Sequence, residues 1–117
     1  MIAKKNKLQI DQFPKDGRTV YRGEVFTIKA VYNNLPIYRV GVLCRSKIFK
    51  TAALRNRLRR AVFRSLQQLA DKKLNDKQGL DLLIILNAPI INLTPKEIEQ
   101  NINDIQFIQR IINPPIN

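Results

Sequence analysis

The chain contains no histidine and a single cysteine, Cys44. The first absence removes the commonest general base at neutral pH. Together the two leave no Cys/His nucleophile pair and no zinc-ligand set. A lone cysteine allows no internal disulfide, which fits a reduced compartment, so the chain is expected to be cytoplasmic. Acidic residues are scarce: nine Asp and Glu stand against 21 Lys and Arg, a net charge of +12. The nine are scattered, and none forms a convincing two-metal cluster, so neither catalytic residues nor metal ligands are expected of the chain itself. Glu97 and Glu99 are explained by the favourable field at a helix N-terminus. Neither a P-loop nor a GxGxxG pattern occurs. No apolar run reaches membrane length, since "LDLLIILNAPII" is short and is broken by Asn87 and Pro89. The N-terminal "MIAKKNKLQIDQF" has lysines but no apolar stretch behind them, unlike a secretory signal. There is no internal repeat and no low-complexity tract.

What remains is a basic chain of 117 residues, a length suited to one domain spanning 1–117, with enough apolar residues for a real core. A charge this large on a small domain opposes compaction unless a polyanion offsets it. Nucleic acid is the first candidate partner and an anionic membrane surface the second.

Short strands are expected at "TVYRG", "EVFTIKAVY" (24–32) and "YRVGVLC" (38–44), so that 19–44 reads as a meander. "IDQF" fits a short helical turn limited by Pro14 and Gly17. "LDLLIIL" (80–86) is apolar on both faces, as in a strand covered on both sides. "LTPKEIEQ" opens a helix: Thr94 caps it, Pro95 takes the first position and Glu97 completes a capping box. Ile98, Ile102, Ile105, Ile108 and Ile112 form its inner stripe, and Pro114 and Pro115 stop it. Strands, helix, strand, helix make an α+β domain, a small two-layer α/β sandwich.

The distinctive segment is "TAALRNRLRRAVFRSLQQLA" (51–70), expected to be one helix. Leu54, Leu58, Ala61, Val62, Ser65, Leu66 and Leu69 share one stripe. Arg57, Arg60 and Arg64 gather opposite it, Arg55 and Arg59 lie on its flank, and Asn56 falls between the two groups. Phe63 also points away from the stripe. No acidic residue lies between Glu24 and Asp71, so the arginines lack local partners. A charged helix face is ordinarily just solvated. Guanidinium groups this close repel one another unless an anion sits between them, and phosphate is the anion they grip bidentately. Lys47 and Lys50 precede the helix, whose free N–H groups add a further anion site. On 24–32, Phe26, Ile28, Ala30 and Tyr32 share one face, with Val25, Thr27, Lys29 and Val31 on the other. An aromatic sheet face beside basic residues can stack unpaired bases, whereas Phe26 and Ile28 also suit a core. Phe13, near Lys15 and Arg18, either borders such a surface or staples the N-terminal segment to the sheet.

The stretch "YRVGVLCRSKIFKTAALRNRLRR" resembles the signature of the bacterial ribonuclease P protein family: an Arg-x-Gly strand, a Ser-Lys loop, then Arg-Asn-Arg-apolar-Lys/Arg-Arg on a helix. The matching positions are Arg39, Gly41, Ser46, Lys47, Arg55, Asn56, Arg57, Arg59 and Arg60. "GLDLLIILNAPIINLTPKEIEQNI" is similar to the family's last strand, turn and C-terminal helix, and the resemblance covers residues 8–110. It implies a ribosomal protein S5 domain 2-like fold with a left-handed βαβ crossover, an exception to the usual hand. It also implies a protein subunit of ribonuclease P, monomeric in a 1:1 ribonucleoprotein, that assists 5′-end maturation of tRNA while the RNA subunit, with its Mg2+, performs hydrolysis. Under it, Lys47, Lys50, Arg55, Asn56, Arg57, Arg59, Arg60 and Arg64 bind the ribonuclease P RNA. A cleft holding the 5′ leader of precursor tRNA would use Phe13, Arg18, Phe26 and Ile28. The chain departs from the pattern at Ile48 and Lys50, at Phe63-Arg64 where the family usually has an Arg-Glu pair, at Asn87, and in a shortened N-terminal helix. The alternative of another class is a ribosome-associated or RNA-chaperone-type module. DNA binding ranks below it, because the helix lacks the upstream partner helix of a helix-turn-helix. A metal-dependent nuclease acting alone ranks last.

Overall fold

The computed structural model describes residues 2–112. Four strands, β1 (Arg18–Arg22), β2 (Phe26–Tyr32), β3 (Arg39–Leu43) and β4 (Leu80–Leu86), form one sheet in the order β1-β2-β4-β3. Helices α1 (Ala52–Ser65), α2 (Gln67–Ala70), α3 (Pro95–Asn103) and α4 (Gln106–Ile112) provide the second layer of the sandwich. Phe26, Ile28 and Ala30 of β2, Val40 and Val42 of β3, and Leu82, Ile84 and Leu86 of β4 face the helices. They meet Leu58, Val62, Leu66 and Leu69 from one helix pair and Ile98, Ile102, Ile105 and Ile108 from the other in a continuous core.

The expected meander is corrected at its third strand. β1 and β2 are an antiparallel hairpin, but β3 does not return against β2. β4 lies between them, antiparallel to β2 and parallel to β3. The reason lies in the turn after β2. Asn34 adopts φ 60°, a left-handed conformation that Asn tolerates. Asn33 then accepts the Leu35 N–H at 2.8 Å and donates to Ile37 O at 3.1 Å. The same turn is pinned to the start of β4, since Gly79 N–H donates to Leu35 O at 2.8 Å and Asn33 N–H to Gly79 O at 3.0 Å. Gly79 has no room for a side chain, because an added Cβ would collide with the Ile37 carbonyl oxygen. These contacts hold β2 and β3 apart by one strand, and the two-faced apolar run of β4 fills the gap, as a central strand should.

Asp81 locks the arrangement. Its side chain, 7 % exposed, accepts from Arg39 Nε at 2.8 Å and Nη2 at 2.7 Å, and from Asn33 Nδ2 at 2.9 Å. The hydrogen bond to Asp81 holds the Arg39 guanidinium above its ordinary value against the opposing effect of burial. Arg39 of the signature strand therefore has a structural partner.

Both long helices are interrupted. The helix expected over 51–70 breaks at Leu66, where ψ swings to 11°. Ser65 Oγ donates back to Ala61 O at 2.8 Å, a bond that bends helices. Leu66 and Leu69 remain buried beyond the break, so the apolar stripe runs through it. The C-terminal helix starts as expected, with both capping-box bonds formed between Thr94 and Glu97. It then stops at Asp104 and restarts at Gln106. The segment "NIND" there is rich in Asn and Asp, which compete for backbone groups; Asn101 indeed donates to Glu97 O at 2.8 Å. Pro114 and Pro115 lie outside the described residues.

The N-terminal segment has only 3₁₀ turns, at Lys4–Asn6 and Ile10–Gln12. It covers the outer edge of β3, with Leu8 N–H donating to Val40 O at 2.9 Å and Asn6 Nδ2 to Tyr38 O at 2.7 Å. A paired edge is protected from strand addition. Gly41 makes room for the segment, since a Cβ there would meet Leu8 O at 3.1 Å. From Gly41 the segment passes over the helix-free face of the sheet to β1, where the Phe13 ring lies against Gly17.

Candidate nucleic-acid interface

The arginine helix is seated from both ends. Thr51 caps α1, its side chain accepting the Leu54 N–H at 3.1 Å. Leu58, Ala61 and Val62 bury one face, and Leu54 packs partly against the same core. Phe49 is fully buried and Ile48 half-buried, which anchors the loop before the helix. Lys47 and Lys50 flank that anchor and are exposed. Arg55 Nη1 donates to Phe49 O at 2.7 Å, tying the loop to the first turn of α1.

The predicted division of the arginines holds. Asn56, Arg57, Arg60 and Arg64 are exposed, while Arg55 and Arg59 are half-buried on the flank. Arg59 Nη1 donates to Asn56 Oδ1 at 2.8 Å, so the asparagine orients a guanidinium. Arg55 and Arg59 lie beside Cys44. Burial pushes the Cys44 thiol up, and the two guanidiniums offset this only in part. Cys44 is thus a protonated, buried thiol and not an activated nucleophile. Among the described residues the ion pair Arg39–Asp81 is the one formed, and no α1 arginine joins a carboxylate. Glu99 lines a small hollow with Arg64, Ser65 and Lys96 without forming such a pair. The result is a helix face whose charge has no carboxylate partner among the described residues, suited to phosphates.

A second concavity, of about 470 Å³, opens where the N-terminal segment meets α1. Arg59, Arg60, Phe63 and Arg64 line it from α1, and Ile2 and Lys7 from the N-terminal segment. Lys7 Nζ stands 5.7 Å from the Phe63 ring centroid, a cation–π contact. The sequence marks Phe63 as lying off the stripe. Nothing in the weak pattern of residues 2–8 marks their landing place beside it.

The expected leader-cleft residues are not brought together. Phe26 and Ile28 are each 1 % exposed, under the helices, and cannot touch a ligand. Arg18, paired with Ala30, lies on the helix side at the end of the sheet, in a hollow with Asp16, Tyr32 and Phe107. Phe13 is half-buried against Gly17 at the start of β1. The helix-free face carries the opposite parity: Arg22 beside Thr27, Thr19 beside Lys29, then Ile85 and Leu43. The alternation of "FTIKAVY" separates the two sets, and the polar, basic one is the set that faces out. That face is basic, partly apolar and overhung by the N-terminal segment.

The family model described as Ribonuclease P matches residues 5–110. The chain belongs to the bacterial ribonuclease P protein family. It is similar to a Staphylococcus aureus RNase P protein solved at 2.0 Å, with 22 % identity and a TM-score of 0.69 over 85 % of this chain and 86 % of that one. A second S. aureus RNase P protein structure shares 21 % identity at TM-score 0.67 over 100 % and 99 % of the two chains. The Thermotoga maritima RNase P protein shares 16 % identity at TM-score 0.66 over 94 % and 98 %. Identities this low carry the fold alone, and the fold is that family's α/β sandwich, consistent with the S5 domain 2-like class. A comparison with curated protein sequences gives no match. Membership of the family makes the chain a ribonuclease P protein subunit, tied to tRNA processing and to association with ribonuclease P RNA. No helix among the described residues is long and apolar enough to cross a membrane.

Proposed function

We propose that the chain acts as one RNA-binding domain, a single copy beside one ribonuclease P RNA in the cytoplasm, and that it assists cleavage of precursor tRNA without supplying the chemistry. α1 and its preceding loop dock RNA phosphates through Lys47, Lys50, Arg55, Arg57, Arg59, Arg60 and Arg64, with Asn56 orienting Arg59. The observation that carries this is the exposed arginine face of α1, which has no carboxylate partner among the described residues. Screening of closely spaced phosphates is what such a face does best. The 5′ leader of precursor tRNA runs on the helix-free sheet face, where Arg22 and Lys29 meet its phosphates and Thr27, Ile85 and Leu43 give it a partly apolar floor.

Magnesium is expected with the RNA subunit. Among the described residues no three Asp, Glu, His or Cys side chains come together. The test is precursor-tRNA cleavage at low magnesium with the source organism's ribonuclease P RNA, with and without the protein. Strong stimulation, with no cleavage by protein alone, is the expected result. Tight, salt-sensitive RNA binding without stimulation would replace this reading with that of a general RNA-binding module.

A further inference from the structure

We propose that the hollow between the N-terminal segment and α1 receives a single unpaired RNA nucleotide, its base against Phe63 and its phosphate among Arg59, Arg60 and Arg64. The proposal rests on the RNA-binding reading of α1 and adds a second mode of contact to it. Phosphate docking by the outer face of the helix needs only charge. The hollow offers something else, an aromatic ring set beside cations.

The charge lining the hollow is of one sign. Lys7, Arg59, Arg60 and Arg64 surround it with no carboxylate in its walls. Four cations around about 470 Å³ repel one another until an anion enters, and the space matches that of small-ligand sites. Asn56 also lines it, beside Arg59, and the rest of the wall is apolar: Ile2 is buried at 3 % exposure and Phe63 is half-buried against the core. A ligand fitting both parts has a phosphate and a planar apolar body, which is the description of a nucleotide.

The state of that nucleotide follows from stacking. A base inside a duplex has both faces covered by its neighbours, so it cannot offer one to a side chain. An unpaired base can, and base–aromatic stacking is tolerant of sequence because every base has a π-face. The Lys7 ammonium over the Phe63 ring holds the place of that base. Lys7 is exposed on a flexible stem, and its contact with the ring is of the weaker, solvent-accessible kind. An arriving base displaces it toward the phosphate, where it joins the three arginines.

The test uses the full chain with two probes, a single-stranded RNA of about 12 nucleotides and a duplex RNA of the same length, titrated at physiological ionic strength. Phe63→Leu keeps an apolar side chain beside Ile2 and removes the π-face. It should weaken single-strand binding by about fivefold or more while duplex binding stays within about twofold. Phe63→Tyr should bind both probes as the parent chain does, which guards against a loss caused by misfolding. Arg57→Ala, outside the hollow, should weaken both probes alike. The proposal is overturned if Phe63→Leu leaves single-strand binding unchanged, if it weakens both probes equally, or if Phe63→Tyr loses as much as Phe63→Leu. Any of these outcomes, with Arg57→Ala still weakening both probes, leaves the arginine-helix reading intact. A parent chain that binds neither probe overturns both readings together.

Discussion

Arginine is used in two opposite ways within this fold. Arg39 is bound bidentately by Asp81, which also takes an Asn33 amide, in a site where the carboxylate is nearly closed to water. The arginines of α1 have neutral partners or none: Arg55 reaches a carbonyl, Arg59 an amide oxygen, and Arg57, Arg60 and Arg64 point outward. The first cation is satisfied by the fold and so contributes to which fold forms. The others are left without a carboxylate partner among the described residues and face outward, open to an anion. Basic residues quoted from the same sequence signature thus separate into a strand lock and an interface, a distinction made by burial and partners and not by residue type.

The largest effect that would break this comparison is at Asp81. Asp81→Ala leaves the partly exposed Arg39 guanidinium and one N–H of the Asn33 amide without their acceptor. Loss of one partner of a fully buried pair costs about 3–5 kcal/mol, but the Arg39 left behind is partly open to water, which places this case at about 1–3 kcal/mol. Urea unfolding should show that loss. RNA affinity, measured where the variant is still folded, should be unchanged. A variant as stable as the parent would mean that the lock contributes nothing and that Arg39 is spare charge like the rest.

The converse experiment is Arg57→Ala combined with Arg60→Ala. Each removes one exposed guanidinium, so the stability read from urea unfolding should move by no more than about 0.5 kcal/mol. Affinity for ribonuclease P RNA should fall by about tenfold per residue, and the slope of log K against log salt should flatten by about 0.7–0.9 for each phosphate left unneutralised. A full loss of stability with an unchanged slope would reverse the assignment of the two regions.

A smaller effect is expected at Lys29, on the helix-free sheet face. Lys29→Ala should lower the preference of the assembled ribonucleoprotein for precursor over mature tRNA by on the order of threefold, as for one phosphate contact. Equal weakening of both tRNAs would place Lys29 away from the leader.

Much of this was legible in the sequence, and the remainder shows where sequence patterning stops. The arginine face could be read because helical periodicity orients each side chain once the buried stripe is known, and Leu58, Ala61 and Val62 define that stripe. The central place of 80–86 could be read from an apolar run with no polar face. The strand beside it could not, because it is set by Asn33, Gly79 and Asp81, residues far apart in the chain that recognise one another only after the turn has formed. The helix breaks at Leu66 and Asp104 were hidden because the apolar stripe continues across both. Alternation split β2 correctly into two faces, but which face the helices would cover was not in the alternation. For Phe26 and Ile28 the aromatic and apolar character that suits a ligand face equally suits a core, and the core is where they lie.

Cys44 gives the finest probe of how far the arginine charge reaches inward. It ends the core beside β3, buried, with Arg59 and Arg55 nearby. Burial favours the neutral thiol and the guanidiniums favour the thiolate, and burial is the larger effect. The folded thiol therefore ionises above the value of the unfolded chain. The stability this difference contributes is fully present below the unfolded thiol's pKa and is lost as pH rises through the raised folded one. Alkylation by iodoacetamide should accordingly be slow near neutrality and accelerate only above the usual thiol range. Replacing Arg55 and Arg59 by glutamine removes the opposing field and should move that acceleration to higher pH still. RNA bound on α1 should shift it in the same direction, since phosphates neutralise the same two guanidiniums. A rate profile insensitive both to the two substitutions and to RNA would mean that the charge of α1 acts only outward.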